Sequence, residues 1–365
     1  MKIENLDKNF NIKTTINEDE ISWFNVREMP FRLYGIFYDE AQKRFLRMPH
    51  EIAKSVSEGV EILNTNTSGG RVRFKTDSSY IVIHAAMDAS VGMSHMPRTG
   101  QSGFDLYRSC EGKDIYFSSF IPPQSWKDGY SGETNTYGEL TDYTIDFPLY
   151  DKVRELYIGL KKGSLLEEAT PYKYQRPIVF YGSSITQGGC ASRPGNCYAA
   201  ILSRRLSTDF INLGFSGNGK GEKEMAKYIS GLSMNVLVMD YDSNAPSADE
   251  LQKTHYPFYK IIRETNPNLP IVLISHPSAL HGVFYKTREY DKWGTFERRC
   301  EIIRNTYEQA RLNGDQKIYF VDGKNIFMGE EWDAVTVDGV HPNDFGFMRF
   351  AMYLEKIIRP ILEKQ

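Results

Sequence analysis

The stretch "IVFYGSSITQGGC" (residues 178–190) decides the fold. Its first half is a short, unbroken apolar run, the pattern of a strand buried on both faces. Its second half is a turn: Gly182, adjacent hydroxyls at Ser183 and Ser184, then Gly188 and Gly189. Serine and glycine are default turn residues, so the piece by itself reads as a turn. It also suits a serine whose Oγ is presented outward at the start of a helix. The choice rests on what the rest of the chain supplies.

Downstream, "NCYAAILSRRL" places Tyr198, Ile201, Leu202 and Leu206 at helical spacing. The runs "DFINLGF", "NVLVMDY", "PIVLISH" and "KIYFVD" are further short apolar strands. Between and after them lie the helical patterns "EKEMAKYISGL", "ADELQKTHYPFYKIIRET", "FERRCEIIRNTYEQARLN" and "DFGFMRFAMYLEKIIRPILEKQ". Strands alternating with helices predict a parallel sheet covered on both faces. Ligands of such sheets sit beyond the carboxyl ends of the strands. That singles out loops 182–190, 214–221, 241–247, 276–283 and 322–342.

Upstream the periodicity is different. "RVRFKT", "SSYIVIHAAM", "KDIYFSSFI", "YTIDFPLY" and "VRELYIGL" are short aromatic and β-branched runs separated by turn residues. They predict an antiparallel sandwich or jelly roll. The nearest helix candidate there, "DEAQKRFLRMPHEIAKSV", is interrupted by Pro49. "KKGSLLEEATPYKYQRP" (161–177) has little periodicity and two prolines, so the junction belongs in it. The expected division is a β-rich accessory domain over 1–170 and a catalytic domain over 171–365.

The chain of 365 residues has room for two cores. A formal net charge of −3 supplies no basic field and argues against a nucleic-acid partner. No apolar run is long enough to span a membrane. The N-terminus has no apolar h-region, so the chain as it stands is expected to be cytoplasmic, unless a trimmed leader once made it periplasmic or secreted. Four cysteines are too few for a disulfide scaffold. Cys190 and Cys197 are close enough to pair in an oxidising compartment, and two buried free thiols are the expected alternative.

The strand-end loops carry the chemistry. In "VDGVHPND", Asp338 stands three residues before His341, within reach of its Nδ1–H. A histidine base needs such an acceptor to fix its tautomer and stabilise the imidazolium. "NLGFSGNGKGE" offers Gly217, whose backbone N–H a substrate can approach, and "MDYDSNAP" offers the Asn244 amide. Acyl transfer needs donors of this kind aimed at the developing oxyanion. The nucleophile elbow G-x-S-x-G does not fit, because Thr186 occupies the last glycine's place.

Serine, glycine, asparagine and histidine in this order resemble the SGNH (GDSL-like) hydrolase superfamily. The resemblance covers about 176–365 and implies a three-layer α/β/α, flavodoxin-like domain. It assigns Ser184, the serine before the hydrophobic residue and threonine, as nucleophile, with His341 and Asp338 completing a triad. It gives Ser184, Gly217 and Asn244 to the oxyanion hole. Ser183 stands where the family usually has Asp, and Asp242 and Ala245 replace the flanking residues of G-x-N-D. "GFDLY" (Gly103 to Tyr107) is similar to the G-x-D-L-Y signature of a β-rich domain preceding one branch of these hydrolases. Read without the resemblance, it is equally a turn entering a strand. The two-domain layout resembles carbohydrate esterases, which implies a short-chain, acetyl-type ester on a sugar or oligosaccharide. No cofactor, metal or membrane partner is implied, and the oligomeric state is left open.

Other readings have their own residues. A lipase or thioesterase would use the same triad on longer acyl chains. Gly214, Gly219 and Lys220 satisfy G-x-x-x-x-G-K, but Gly221 replaces the Ser/Thr that a phosphate loop needs for Mg²⁺. A non-catalytic carbohydrate-binding protein would use exposed aromatics, yet aromatic strands are commonly core. Ser183, Asp242, His276 and Trp332 are candidates to line the pocket, with His281 and Trp293 near its edge. A metal at His276 and His281 would require a third ligand, and none is identified. His255, in a helical pattern, reads as a surface or packing residue.

Overall fold

The computed structural model describes residues 16–277, 296–329 and 331–364. Two compact units emerge. The first comprises residues up to Arg47, Thr65–Tyr172 and Ser192–Gly195; the second comprises Met48–Asn64, Lys173–Ala191 and Asn196 onward. Two segments therefore cross a simple cut near residue 170.

The first unit is antiparallel. One sheet orders the strands Ile21–Asn25, Val153–Lys161, Tyr80–Met87 and Gly129–Asn135. The other orders Leu166–Glu167, Arg71–Thr76, Thr141–Asp146, Phe104–Cys110 and Lys113–Phe120, with Arg32–Tyr34 also paired to Arg71–Thr76. Alternate residues of both sheets meet in one core: Ile81, Ile83 and Met87 from the first, Val72, Phe74, Leu106 and Ile145 from the second. That is a β-sandwich. Tyr80–Met87 is buried at every position because its second face is covered too, where Tyr80 and Val82 pack with Ile21. The continuous apolar run "YIVIHAAM" is thus a central strand.

The second unit holds five parallel strands in the order Thr208–Gly214, Tyr174–Gly182, Val236–Asp240, Ile271–Ile274 and Ile318–Val321. Numbered along the chain this is 2-1-3-4-5, the flavodoxin-like order, with its switch point between the first and third strands. Gly182 registers with Gly214 on one side and with Asp240 on the other. The loops after these three strands consequently open at one place. Ala248–Thr265, Phe296–Leu312 and Asp344–Leu362 are the long helices.

Pro49, which looked like an interruption, is the N-cap of a helix over His50–Val56, and Glu58–Asn64 follows. Proline suits a helix start because its missing N–H would have had no partner there. Ala53 and Val60 of these helices lie in the core beneath the parallel sheet, which explains why the segment belongs to the second unit. Cys190 and Cys197 are free and buried. No helix among the described residues is long and apolar enough to cross a membrane.

Candidate active site

Gly182 is the last residue of its strand, and glycine is needed there because a Cβ would lie 2.3 Å from the Asp240 carbonyl oxygen. The chain then turns into a single helical turn, Ser184–Gln187. Ser183 is its N-cap: its Oγ accepts the Ile185 N–H at 3.2 Å, and its own N–H donates to Asp240 O at 3.1 Å. Gly188, with φ of 109°, ends the turn in the left-handed region that glycine tolerates. Of residues 181–190, Ser184 is the one that is not buried. Two adjacent hydroxyls thus have different fates. Ser183 holds the turn from inside, and Ser184 faces out.

Ser184 Oγ lies 2.9 Å from His341 Nε2. His341 Nδ1 lies 2.7 Å from Asp338 Oδ2, while Asp338 Oδ1 accepts the backbone N–H groups of His341 (2.8 Å) and Val340 (3.0 Å). Because Nδ1 must carry the proton to meet a carboxylate, Nε2 is left as acceptor for the serine hydroxyl. Partial burial pushes the Asp338 carboxyl up, but the N–H groups and the imidazole outweigh it and hold it below the usual carboxylate value. The loop is stiff for its length. Gly339 has φ of 87°, Thr336 bridges Pro342, and Asn343 caps the last helix by accepting the Gly346 N–H.

The Asn244 amide is held by the Gly217 loop. Its Nδ2 donates to Phe215 O at 2.8 Å, and its Oδ1 accepts the Gly217 N–H at 3.1 Å. Gly217 has φ of 68°, and a Cβ there would meet nothing within 4 Å. Conformation, rather than crowding, is what requires glycine at this position.

Asp242 is buried, and its Oδ2 accepts the His276 N–H at 2.8 Å. Burial pushes its carboxyl up to about 6, against the pull of Arg299. Arg299, itself buried, donates to the carbonyls of Asp242 and Ala245 and so clamps the turn that carries Asn244. Ser183 and Asp242 therefore brace the site from behind rather than line it. His276 is buried with its ring 4.9 Å from Phe296. Trp332 is half-buried in the turn Trp332–Ala334 ahead of Asp338. His281 and Trp293 fall outside the described residues. His255 is a packing residue: it is buried, its Nδ1 lies 2.8 Å from Thr306 Oγ1, and burial lowers its pKa to about 3.

Sequence reasoning missed four supporting residues. Gln187 Oε1 accepts the Ser216 N–H at 2.9 Å and ties the Ser184 turn to the Gly217 loop, and Asn212 Nδ2 donates to Thr186 O at 2.7 Å and ties it to the strand Thr208–Gly214. Asp240, fully buried, receives Thr186 Oγ1 at 3.2 Å, and burial and the nearby Asp242 push its carboxyl well up. Arg299 is the fourth. None has a local sequence mark, since each acts on a loop distant in the chain.

The phosphate-loop reading fails on geometry. The N–H of Lys220 donates to the Glu222 carboxylate, that of Gly221 to Tyr181 OH at 2.8 Å, and that of Gly219 to Phe215 O at 3.0 Å. The backbone donors that would cradle phosphate are already used, and a carboxylate sits among them.

Comparison with known proteins gives the family and the fold. The sequence model of the GDSL-like Lipase/Acylhydrolase family matches residues 175–359, just over half of the chain. The GxDLY model, described as the N-terminus of SGNH-hydrolase-type esterases, matches residues 21–166. No protein of curated function matches by sequence. Among solved structures, one from Bacteroides ovatus described as a GDSL-like lipase is similar with a TM-score of 0.83 at 28% identity, over 94% of this chain and 98% of that one. The salicylyl-acyltransferase SsfX3 of a tetracycline biosynthetic pathway gives 0.76 at 20% identity, over 94% and 98%. A family two carbohydrate esterase from Clostridium thermocellum, in complex with cellohexaose, gives 0.59 at 15% identity, over 91% and 99%. These last two likenesses are of fold.

Proposed function

The chain belongs to the GDSL-like lipase/acylhydrolase family and is an ester hydrolase, and on that premise we propose that Ser184, His341 and Asp338 are its catalytic triad and that it removes short acyl groups, acetyl above all, from a carbohydrate. The line of hydrogen bonds from Ser184 Oγ through the imidazole to Asp338, at 2.9 and 2.7 Å, carries this reading.

Ser184 Oγ attacks the ester carbonyl as His341 Nε2 takes its proton, and Asp338 stabilises the resulting imidazolium. The oxyanion is held by the N–H groups of Ser184 and Gly217 and by the Asn244 amide. In the resting enzyme the Gly217 N–H is bonded to Asn244 Oδ1, so it serves the oxyanion by sharing or exchanging that bond. His341 returns its proton to the departing alkoxide, which leaves as the alcohol. Water, deprotonated by His341, then attacks the acyl-serine and releases the acid and the free Ser184. Catalysis belongs to the unit with the parallel sheet, and the β-rich unit is an accessory domain. The carbohydrate substrate draws support from the fold shared with an esterase that holds cellohexaose.

The test is a series of aryl esters of increasing acyl length, with acetylated oligosaccharides beside them. Wild type is expected to favour acetyl, and Ser184→Ala to lose on the order of 10⁴–10⁶ in kcat. Undiminished activity in Ser184→Ala would remove the serine from its role. A preference for long chains would instead favour a lipase or thioesterase.

A further inference from the structure

Asp105, in the middle of the "GFDLY" signature, is completely buried. Burial pushes its carboxyl up, and Arg193, the Gly195 N–H and Ser119 oppose that push. A buried carboxylate is costly unless it is fully bonded. Here two of its three donors come from one short segment: Arg193 Nη1 at 3.1 Å and the Gly195 N–H at 2.9 Å, with Ser119 Oγ at 2.8 Å as the third. The segment Ser192–Gly195 belongs to the same compact unit as Asp105.

Tyr107 of the signature serves the same segment, while Phe104 and Leu106 pack in the core. Tyr107 OH accepts from Arg193 Nη1, and the Arg193 guanidinium lies 3.9 Å over the Tyr116 ring. A Cβ on Gly195 would come 2.2 Å from Tyr107 OH, so only glycine fits. Just ahead of the signature, Thr99 Oγ1 donates to Ser192 O at 2.5 Å. Gly103 turns the chain where a Cβ would lie 2.5 Å from Thr99 O. The stretch from Thr99 to Tyr107 is thus a receptor for four residues of chain.

Those residues follow the nucleophile turn with no slack. Gly189 N–H donates to Ser184 O at 2.9 Å, and Ala191 N–H to Gly188 O at 2.9 Å. Cys190 N–H donates to Pro342 O at 3.1 Å, next to His341. On the far side, Asn196 Nδ2 donates to Asp344 Oδ2 at 2.8 Å. The path 190–196 is therefore pinned at both ends to residues that closely follow His341. We propose that Asp105 is a positioning residue, which with Tyr107 fixes the Ser192–Gly195 segment and through it the relative placement of Ser184 and His341. The proposal rests on the triad reading above.

The experiment compares Asp105→Asn and the apolar pair Asp105→Leu with Arg193→Met, using steady-state kinetics, melting temperature and the rate at which a fluorophosphonate labels the nucleophilic serine. Asp105→Asn is expected to lower kcat about 10- to 100-fold, with KM nearly unchanged and labelling slowed in proportion, because small misplacements of reacting groups cost rate. The apolar pair also removes the half-buried Arg193 charge that Asp105→Asn leaves without its carboxylate, so its melting temperature is expected to recover while kcat stays low. Wild-type kcat and labelling in Asp105→Asn, or kcat recovering along with melting temperature in the pair, would overturn the proposal. Should these variants not fold, Thr99→Val decides: a several-fold fall in kcat supports the proposal, and wild-type kcat removes it. Failure of the triad reading would look different, as labelling that persists in Ser184→Ala.

Discussion

Two glycine-rich loops leave neighbouring parallel strands, and they use their polar groups in opposite ways. After Gly182, every residue through Cys190 is buried except Ser184, whose hydroxyl meets a histidine 2.9 Å away. After Gly214, the N–H groups of Gly219, Lys220 and Gly221 are spent on Phe215, Glu222 and Tyr181, while that of Gly217, at an exposed position, rests on Asn244 Oδ1. Composition does not separate the two loops, since both are rich in glycine with a few polar side chains. What separates them is which donors and acceptors still face outward. The first loop presents a serine hydroxyl to a histidine, and the second braces an asparagine.

The contrast can be broken most forcefully at Asn244, where the bracing loop meets the chemistry. Asn244→Ala removes the proposed oxyanion donor and frees the Gly217 N–H, and kcat on an acetyl ester is expected to fall about 10²–10³-fold with little change in KM. A change confined to KM would show that Asn244 binds substrate without serving the transition state.

The next effect is on stability. The Asp242 carboxyl, raised to about 6, is protonated in the folded chain where the unfolded chain has released its proton. Stability from this group is therefore greatest below about pH 4, falls as pH rises toward about 6, and stays lower above that. Asp242→Asn is expected to flatten the melting temperature across that window, measured by calorimetry. A wild-type slope in the variant would assign the dependence to another group.

Ser183→Ala deletes a helix cap and is expected to cost about 1 kcal/mol in denaturant unfolding, while Ser183→Asp, an equally good cap, keeps stability. Equal losses in both variants would show that the hydroxyl does something a carboxylate cannot. The smallest effect belongs to Lys220→Ala. With its loop already bonded to Glu222, activity is expected to stay at the wild-type level; a large loss would return that loop to the chemistry.

Much of this was legible in the sequence for a physical reason. The parallel strands are buried on both faces and must be unbroken apolar runs, so "IVFYGS" and "NVLVMDY" announced themselves. Ser184, Gly217 and Asn244 lie in short loops after parallel strands, and Asp338 and His341 close the longer connection before the last helix, so chain order and strand ends already limit the possibilities. Gln187, Asn212, Asp240 and Arg299 did not show, because a buried polar residue is explained only by its partner, and theirs are distant in sequence. The strands Ile21–Asn25 and Gly129–Asn135 were also hidden. Their faces are only partly buried, and "GYSGETN" has no alternation to read. Pro49 misled for a related reason: proline blocks a helix from inside but begins one well, and the residues around it look alike in either case.

The central claim is that Ser184, not its neighbour Ser183, carries the acyl group. Rapid acid quenching of the enzyme during turnover of an aryl acetate, followed by mass mapping of the peptide spanning 180–190, tests it directly. An acetyl group on Ser184, absent in Ser184→Ala, is the expected result. An acetyl group on Ser183 or any other residue, or an acylated Ser184→Ala enzyme, would contradict it.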